Sequence, residues 1–402
     1  MFSDLKQEKP ILKRAGPLFR HICSIASLRD ALYHVRSVGG SAGVDGQRPA
    51  DFRECPGGDL DSLHRDLCFG AYEPRALRRV CIPKAGGVRI IGVPCVRDRI
   101  AGRSVVVTLN ELFEPHWDDS NHGYRPGRSV RTAALMVREF ISSGASHAVR
   151  IDIRAFFDTI DHHRLFTLLG PLVPDRQVNN LIRTMVCNQR WHDEKGLSFA
   201  AGLCQGMPTS PVLSNVYLHG FDQHMTSLYG SVRYADDIMI LCRSHREAGQ
   251  ALGDAARFLE SDLLLACNRD KCDVTPVAAG VEFLGLRFTQ DSLRLAAGAG
   301  ERLIAAVEEI THTASDCDDL ARRAIACVTS WASTYCIVEG AEEIHSLAGA
   351  IGQRVGARFR VLAQGHPKAY SRYWRRRLHR RLDLEKEHAR AREAFVRGWL
   401  VI

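Results

Sequence analysis

Two adjacent carboxylates, Asp236 and Asp237, stand between the apolar β-forming runs Val232-Arg233-Tyr234 and Ile238-Met239-Ile240-Leu241. This pattern predicts a tight hairpin over 231–243 with both acids at its tip. A third acid, Asp152, lies in another apolar run, Val149-Arg150-Ile151-Asp152-Ile153. That run predicts a strand over 148–153, in which the Asp152 side chain faces opposite to Ile151 and Ile153. Burying three carboxylates without a cation is costly. A pair of divalent ions about 3.5–4 Å apart would relieve the repulsion and stabilise the attacking and leaving oxygens of a phosphoryl displacement. Mg²⁺ suits such hard oxygen donors. Taken alone, an acidic doublet is weak evidence, because two adjacent acids usually lie in a surface turn. Asp118-Asp119 and Asp318-Asp319 lack apolar flanks and read as surface acids.

The rest of the chain predicts an α+β architecture. Residues 1–70 read as mostly helical, with a turn at Gly43-Val44-Asp45-Gly46. Residues 78–94 form two β-runs around Gly86-Gly87. Helices are expected over 95–115, 130–142, from about 160 to Gln189, 210–228, 245–265 and through 300–400, with a further strand over 281–288. Strands and helices are interspersed without a regular βαβ repeat. A length of 402 residues suggests two or three domains. Hydrophobic residues at 45% and charged residues at 25% exclude a disordered, collagen-like or coiled-coil chain. The first ten residues carry no apolar signal core, and no apolar run of about 18 residues occurs, so no membrane span is expected. The thirteen Cys are scattered and none forms a CxxC pair. They argue against a disulfide framework or zinc ribbon and for small buried residues in a reducing cytosol.

The net charge of +8 is concentrated at the C-terminal end. From Arg354 to Arg397, twelve Arg and two Lys face four acids, so the rest of the chain is slightly acidic. Tyr370, Tyr373 and Trp374 are interleaved with these cations. The stretch is either a solvated amphipathic helix or a nucleic-acid clamp in which Arg binds phosphate and aromatics stack on bases.

The ordered set of motifs is more specific than any one of them. Tyr234-Ala235-Asp236-Asp237 resembles the YADD signature of reverse transcriptases. Asp152 through Asp158, followed by Thr159-Ile160-Asp161-His162, resembles their first palm motif. Gln205-Gly206-Met207-Pro208-Thr209-Ser210-Pro211 with Leu213-Ser214-Asn215 resembles the next one. Asn268-Arg269-Asp270-Lys271 and Phe283-Leu284-Gly285 resemble the motifs after the hairpin. Ile82-Pro83-Lys84, Gly86-Gly87-Val88-Arg89, Ile91-Gly92-Val93-Pro94 and the segment Asn121–Ser129 resemble the fingers. They occur in family order over about residues 40–290.

The resemblance implies a right-hand polymerase with fingers, an antiparallel palm sheet carrying the YADD hairpin, and a helical thumb. It divides the chain into an N-terminal helical segment (1–70), fingers (71–145), palm (146–295, with inserted finger helices at about 160–200), thumb (296–350) and a basic helical extension (351–402). It implies that Asp152, Asp236 and Asp237 hold two Mg²⁺ ions, with Mn²⁺ as an alternative, and that the Ile153 carbonyl adds a ligand. Phe157 would pack under the sugar and exclude a ribose 2′-OH, favouring dNTPs. Lys84, Arg89 and Arg78 would neutralise the triphosphate, with Arg79 a nearby candidate. Gln205 and Gly206 would line the nucleotide and template pocket. Lys271 would serve the leaving pyrophosphate. Asp158 and the His162-His163 pair are expected to be structural.

The fingers resemble bacterial group II intron enzymes, whereas the QGMPTSP form resembles retron and defence-associated reverse transcriptases. The chain lacks a Cys/His-rich endonuclease module and the Val-Thr-Gly thumb segment of retron enzymes. The best match in type is a stand-alone, bacterial, cytoplasmic enzyme that copies a dedicated structured non-coding RNA into cDNA in antiphage defence. A neighbouring effector protein or a second copy is a further partner to consider. The alternatives are template-independent synthesis on the same fold, a retron or intron enzyme, and a non-catalytic RNA-binding scaffold. A nucleotide cyclase would leave the fingers and QGMP segments unexplained.

Overall fold

The protein is described from a computed structural model over residues 15–84, 87–192, 201–362 and 384–399. The N-terminal helices are α1 (Pro17–Cys23), α2 (Ile25–Val38) and α3 (Asp59–Phe69). Strands β1 (Arg78–Lys84) and β2 (Gly87–Val93) follow, then helices α4 (Val96–Phe113) and α5 (Val130–Ser142). Strand β3 (His147–Ile151) leads into α6 (Phe156–Thr159), α7 (His162–Leu172), α8 (Arg176–Cys187) and α9 (Ser210–Leu228). The hairpin strands are β4 (Gly230–Tyr234) and β5 (Asp237–Cys242), followed by α10 (His245–Arg257). Short strands β6 (Asp273–Pro276), β7 (Val281–Phe283), β8 (Leu286–Phe288) and β9 (Leu293–Leu295) precede α11 (Ala299–Thr313), α12 (Cys317–Tyr335), α13 (Ala341–Leu362) and α14 (Leu384–Trp399). The strands form three sheets, ordered β1-β2, β4-β5-β3-β6 and β7-β8-β9.

Local chemistry sets the element ends. The Ser129 hydroxyl accepts from the Thr132 amide and the Thr132 hydroxyl accepts from the Ser129 amide, a reciprocal cap that starts α5. The carboxylates of Asp161, Asp175 and Asp316 cap α7, α8 and α12. The expected strand over 281–288 is instead a hairpin: β7 pairs antiparallel with β8 across Leu284 and Gly285, both with positive φ (52° and 79°). Apolar alternation runs straight through that turn, so the pattern conceals it. The expected strand 148–153 ends at Ile151, and the expected helix 245–265 ends at Arg257, giving way to a π-helical turn over Phe258–Asp262. Strands β6 and β9 are too short to be read from sequence, at four and three residues, and β6 carries an Asp and a Pro.

Two compact units emerge, one within residues 1–127, 151–238 and 252–272, the other within 128–150, 239–251 and 273–402. The first is built around α4, whose Ile100, Ala101, Val105 and Leu109 are buried with Ile22, Leu28 and Leu32 of α1 and α2. The second buries Val137 of α5, Val307 of α11, Leu320, Ala324 and Val328 of α12, and Ile351 and Val355 of α13. In it, β3 pairs antiparallel with β6, Val149 facing Val274. Among the described residues no helix is long and apolar enough to cross a membrane. Tyr370, Tyr373, Trp374 and the cations between 363 and 383 lie outside the described residues.

Candidate active site

The first unit contains all three carboxylates. The β4–β5 turn is tight, and Ala235 takes a left-handed conformation (φ 59°) that glycine would adopt more easily. A buried network holds it there. Arg233, on β4, is fully buried, and its guanidinium donates to Asp222 Oδ1 (2.6 Å), Asp222 Oδ2 (2.5 Å), Asn215 Oδ1 (3.1 Å) and the Ala235 carbonyl (2.9 Å). Asn215 in turn donates to the Gly123 carbonyl at 2.9 Å. A Cβ on Gly123 would fall on the Ala235 backbone nitrogen, so only glycine lets the 121–123 loop lie against the acidic turn. That loop also flanks β4: the Arg233 amide donates to Ser120 O (2.7 Å) and the His122 amide to Arg233 O (2.8 Å). Arg125, buried and paired with Glu114 at 2.8 Å, ties the loop to the end of α4 through the Asp118 and Asn121 carbonyls.

Asp236 is half-buried at the tip and Asp237 is exposed. Burial raises the Asp236 carboxyl, the Asp152 carboxylate raises it further, and Arg89 and Arg233 oppose the shift. Tyr124, with φ 59°, is raised by burial and then by Asp236, while Arg89 lowers it. Asp152, Asp236, Arg89, Tyr124 and the hairpin thus share one electrostatic neighbourhood.

Asp152 lies just beyond β3, between that strand and an isolated bridge pairing Ile153 with Cys267. Its carbonyl accepts from the Asn268 amide at 2.8 Å, and its Oδ2 accepts from Asn268 Nδ2 at 2.9 Å. Lys271 Nζ stands 3.9 Å from the same oxygen, with its side chain 64% exposed. Lys271 therefore stands beside the Asp152 carboxylate. Asn268 was not singled out as a site residue, although it belongs to the same motif; it is the group that directly orients Asp152.

Phe156 is core, whereas Phe157 packs edge-on against it and is only half-buried. The Phe157 carbonyl accepts from the Leu203 amide at 2.6 Å, which ties it to the loop before Gln205. His162 opens α7 and its Nε2 contacts the Gly202 carbonyl at 2.7 Å, a structural contact. Gln205 is half-buried, and its carbonyl accepts from the Gly92 amide of β2 at 2.8 Å. At Gly206 (φ 113°) a Cβ would strike the Gly92 carbonyl. The QGMP loop is thereby seated against β2, the strand that carries Arg89. Arg78 is committed elsewhere: it donates to the Ala42 carbonyl and the Ser41 hydroxyl at 2.9 and 2.8 Å. Lys84 ends β1, and its side chain lies outside the described residues. Arg79 stacks over Trp191.

Among the described residues no set of three or more His, Cys, Asp or Glu side chains converges as a preformed metal site. The donors nonetheless fit a hard divalent cation in kind: they are carboxylates, and the Asp152 carboxylate disfavours the charge of Asp236.

An acidic hairpin tip set in one α+β unit with a second carboxylate and the basic strand β2 matches the arrangement expected of a nucleic-acid polymerase palm. The family described as reverse transcriptase (RNA-dependent DNA polymerase) matches residues 82–288, just over half of the chain, and the chain belongs to that family. It is 28% identical over 294 residues to Protein YkfC of Escherichia coli (strain K12), covering 63% of this chain and 77% of that protein. It is 34% identical over 175 residues to the group II intron-encoded protein LtrA of Lactococcus lactis subsp. cremoris, covering 42% of this chain but only 28% of LtrA. The retron Mx65 reverse transcriptase of Myxococcus xanthus is 26% identical over 223 residues, covering 51% of this chain and 50% of that enzyme. The chain is accordingly a reverse transcriptase, similar to group II intron and retron enzymes.

Proposed function

We propose that the protein copies a structured non-coding RNA into DNA by two-metal nucleotidyl transfer from dNTPs to a primer 3′-OH, in the cytosol of a bacterium and in the service of antiphage defence. The observation that carries the chemistry is the juxtaposition of Asp152 and Asp236, with Arg89 close enough to act on Asp236. Mg²⁺ ions held by Asp152, Asp236 and Asp237 would neutralise phosphate charge and favour ionisation of the primer hydroxyl. The residues around them position the reaction. Asn268 fixes the Asp152 carboxylate, Arg233 fixes the hairpin turn, and the positive charges of Arg89 near Asp236 and Lys271 near Asp152 support a role in meeting the triphosphate and its leaving pyrophosphate. The half-exposed ring of Phe157, backed by buried Phe156, supports steric rejection of ribonucleotides. The QGMPTSP form of the second palm motif supports the defence assignment over intron mobility.

The test is to purify the protein with the RNA it carries, add four dNTPs and Mg²⁺, and sequence the DNA made. DNA complementary to one recurrent RNA is the expected result. DNA of simple or non-complementary sequence would replace this reading with template-independent extension.

A further inference from the structure

We propose that Cys267 and Cys272 form a peroxide-oxidisable dithiol that controls the Asp152 carboxylate. Both cysteines are free thiols, and they bracket the four residues Asn268-Arg269-Asp270-Lys271 that supply both side-chain contacts to Asp152 Oδ2. The segment folds back on itself: the Lys271 and Cys272 amides donate to the Asn268 carbonyl at 2.9 and 3.1 Å. That turn carries Cys272 back toward Cys267. The same two cysteines also touch the backbone of the catalytic segment. The Asp152 amide donates to Cys272 Sγ at 3.5 Å, Cys272 Sγ lies 3.9 Å from the Asp152 carbonyl, and Cys267 is the bridge partner of Ile153.

Exposure assigns the roles. Cys272 is half-buried and open to a small oxidant, whereas Cys267 is buried. The Cys272 sulfur attacks hydrogen peroxide, the O–O bond breaks, and Cys272 becomes a sulfenic acid with release of water. The Cys267 sulfur then attacks the Cys272 sulfur, the S–O bond breaks, and a second water leaves with the thiol proton. Two thiols have lost two electrons and peroxide has gained them. A disulfide needs sulfurs about 2.05 Å apart, closer than two free thiols pack. Closing it draws Cys272 Sγ off the Asp152 amide and shifts the turn carrying Asn268 and Lys271. The Asp152 carboxylate then loses its orientation, and a thiol reductant restores it. The activity consequence rests on the polymerase reading above; the thiol chemistry does not.

The experiment treats the whole protein with hydrogen peroxide, blocks remaining thiols, digests with trypsin and analyses the peptides by mass spectrometry. Trypsin separates the two cysteines, so a disulfide links the peptide 258–269 to the peptide 272–287. In parallel, DNA synthesis is measured as the ratio of peroxide-treated to dithiothreitol-treated activity, for wild type and for Cys272→Ser, each normalised to its own reduced form. The expected result is the linked peptide together with a roughly tenfold or greater loss that dithiothreitol reverses. In Cys272→Ser both the link and the loss should vanish. Absence of the link while other cysteines oxidise overturns the proposal, as does a link that leaves activity unchanged. If reduced wild type makes no DNA, the polymerase reading fails and the linked peptide still decides the thiol chemistry.

Discussion

Removing Asp222 is the sharpest perturbation of the hairpin's support. Asp222 and Arg233 are 1% and 0% exposed, and two short bonds join them. Asp222→Ala leaves a buried guanidinium with its charge uncompensated, which costs about 3–5 kcal/mol. At about 2–4 °C per kcal/mol for a unit of this size, the melting temperature should drop by roughly 6–20 °C. The double variant Asp222→Leu with Arg233→Met replaces the pair with apolar groups of similar volume, a change that is often neutral or stabilising. Its melting temperature should therefore return to near that of the wild type. Its DNA synthesis should not, because the Ala235 carbonyl loses its Arg233 donor and the strained turn carrying Asp236 loses its anchor. Thermal unfolding and primer extension on the three proteins, analysed as a double-mutant cycle, measure both quantities. A single-variant cost below about 1 kcal/mol, or a fully active double variant, would refute the reasoning.

Three further outcomes follow from the same geometry. Gly123→Ala sets a Cβ against backbone atoms of Tyr234 and Ala235 that have no flexible end to move, so DNA synthesis should fall at least tenfold with a stability loss of about 1–3 kcal/mol, read by extension and unfolding assays. Asn268→Ala removes a charge-assisted bond to Asp152 worth about 1.5–3 kcal/mol, so kcat should fall roughly 10- to 150-fold; Lys271→Met removes a longer, more exposed contact worth under about 1 kcal/mol and should cost less at that carboxylate. Asp98 accepts from the Tyr72 hydroxyl and the Arg75 amide, and burial pushes its carboxyl up to about 6, so the folded chain holds a proton that the unfolded chain releases near pH 4. The resulting stability is complete below about pH 4 and is lost as pH rises through about 6, at about 1.4 kcal/mol per pH unit; denaturant midpoints for Asp98→Asn should lack that slope.

The carboxylates were legible because each sits in a short apolar run, where an acid has no reason to be unless a hairpin tip or strand end needs it. Helices α5 and α9 were legible to the residue, since a Ser cap and a Pro near the start mark their beginnings. The support beneath the hairpin was not. Arg233 and Asp222 lie eleven positions apart on different elements, and no local pattern pairs them. Gly123 is visible as a glycine, yet the reason for it is a close backbone approach by a turn more than a hundred residues away. Cys267 and Cys272 read as isolated residues, and only the 268–272 turn and the pairing of Ile153 with Cys267 set both against residues 152–153. Arg78 carries the right charge for a triphosphate, but its bonds to the 41–42 loop are set by tertiary packing.

The central claim is that Asp152, Asp236 and Asp237 drive DNA synthesis directed by an RNA strand. Primer extension on a defined RNA template, with wild type and Asp236→Asn compared and the products sequenced, tests it most directly. The account predicts DNA complementary to the template from the wild type and none from Asp236→Asn, with RNA binding retained. Undiminished synthesis by Asp236→Asn, or product sequence that ignores the template, would contradict it.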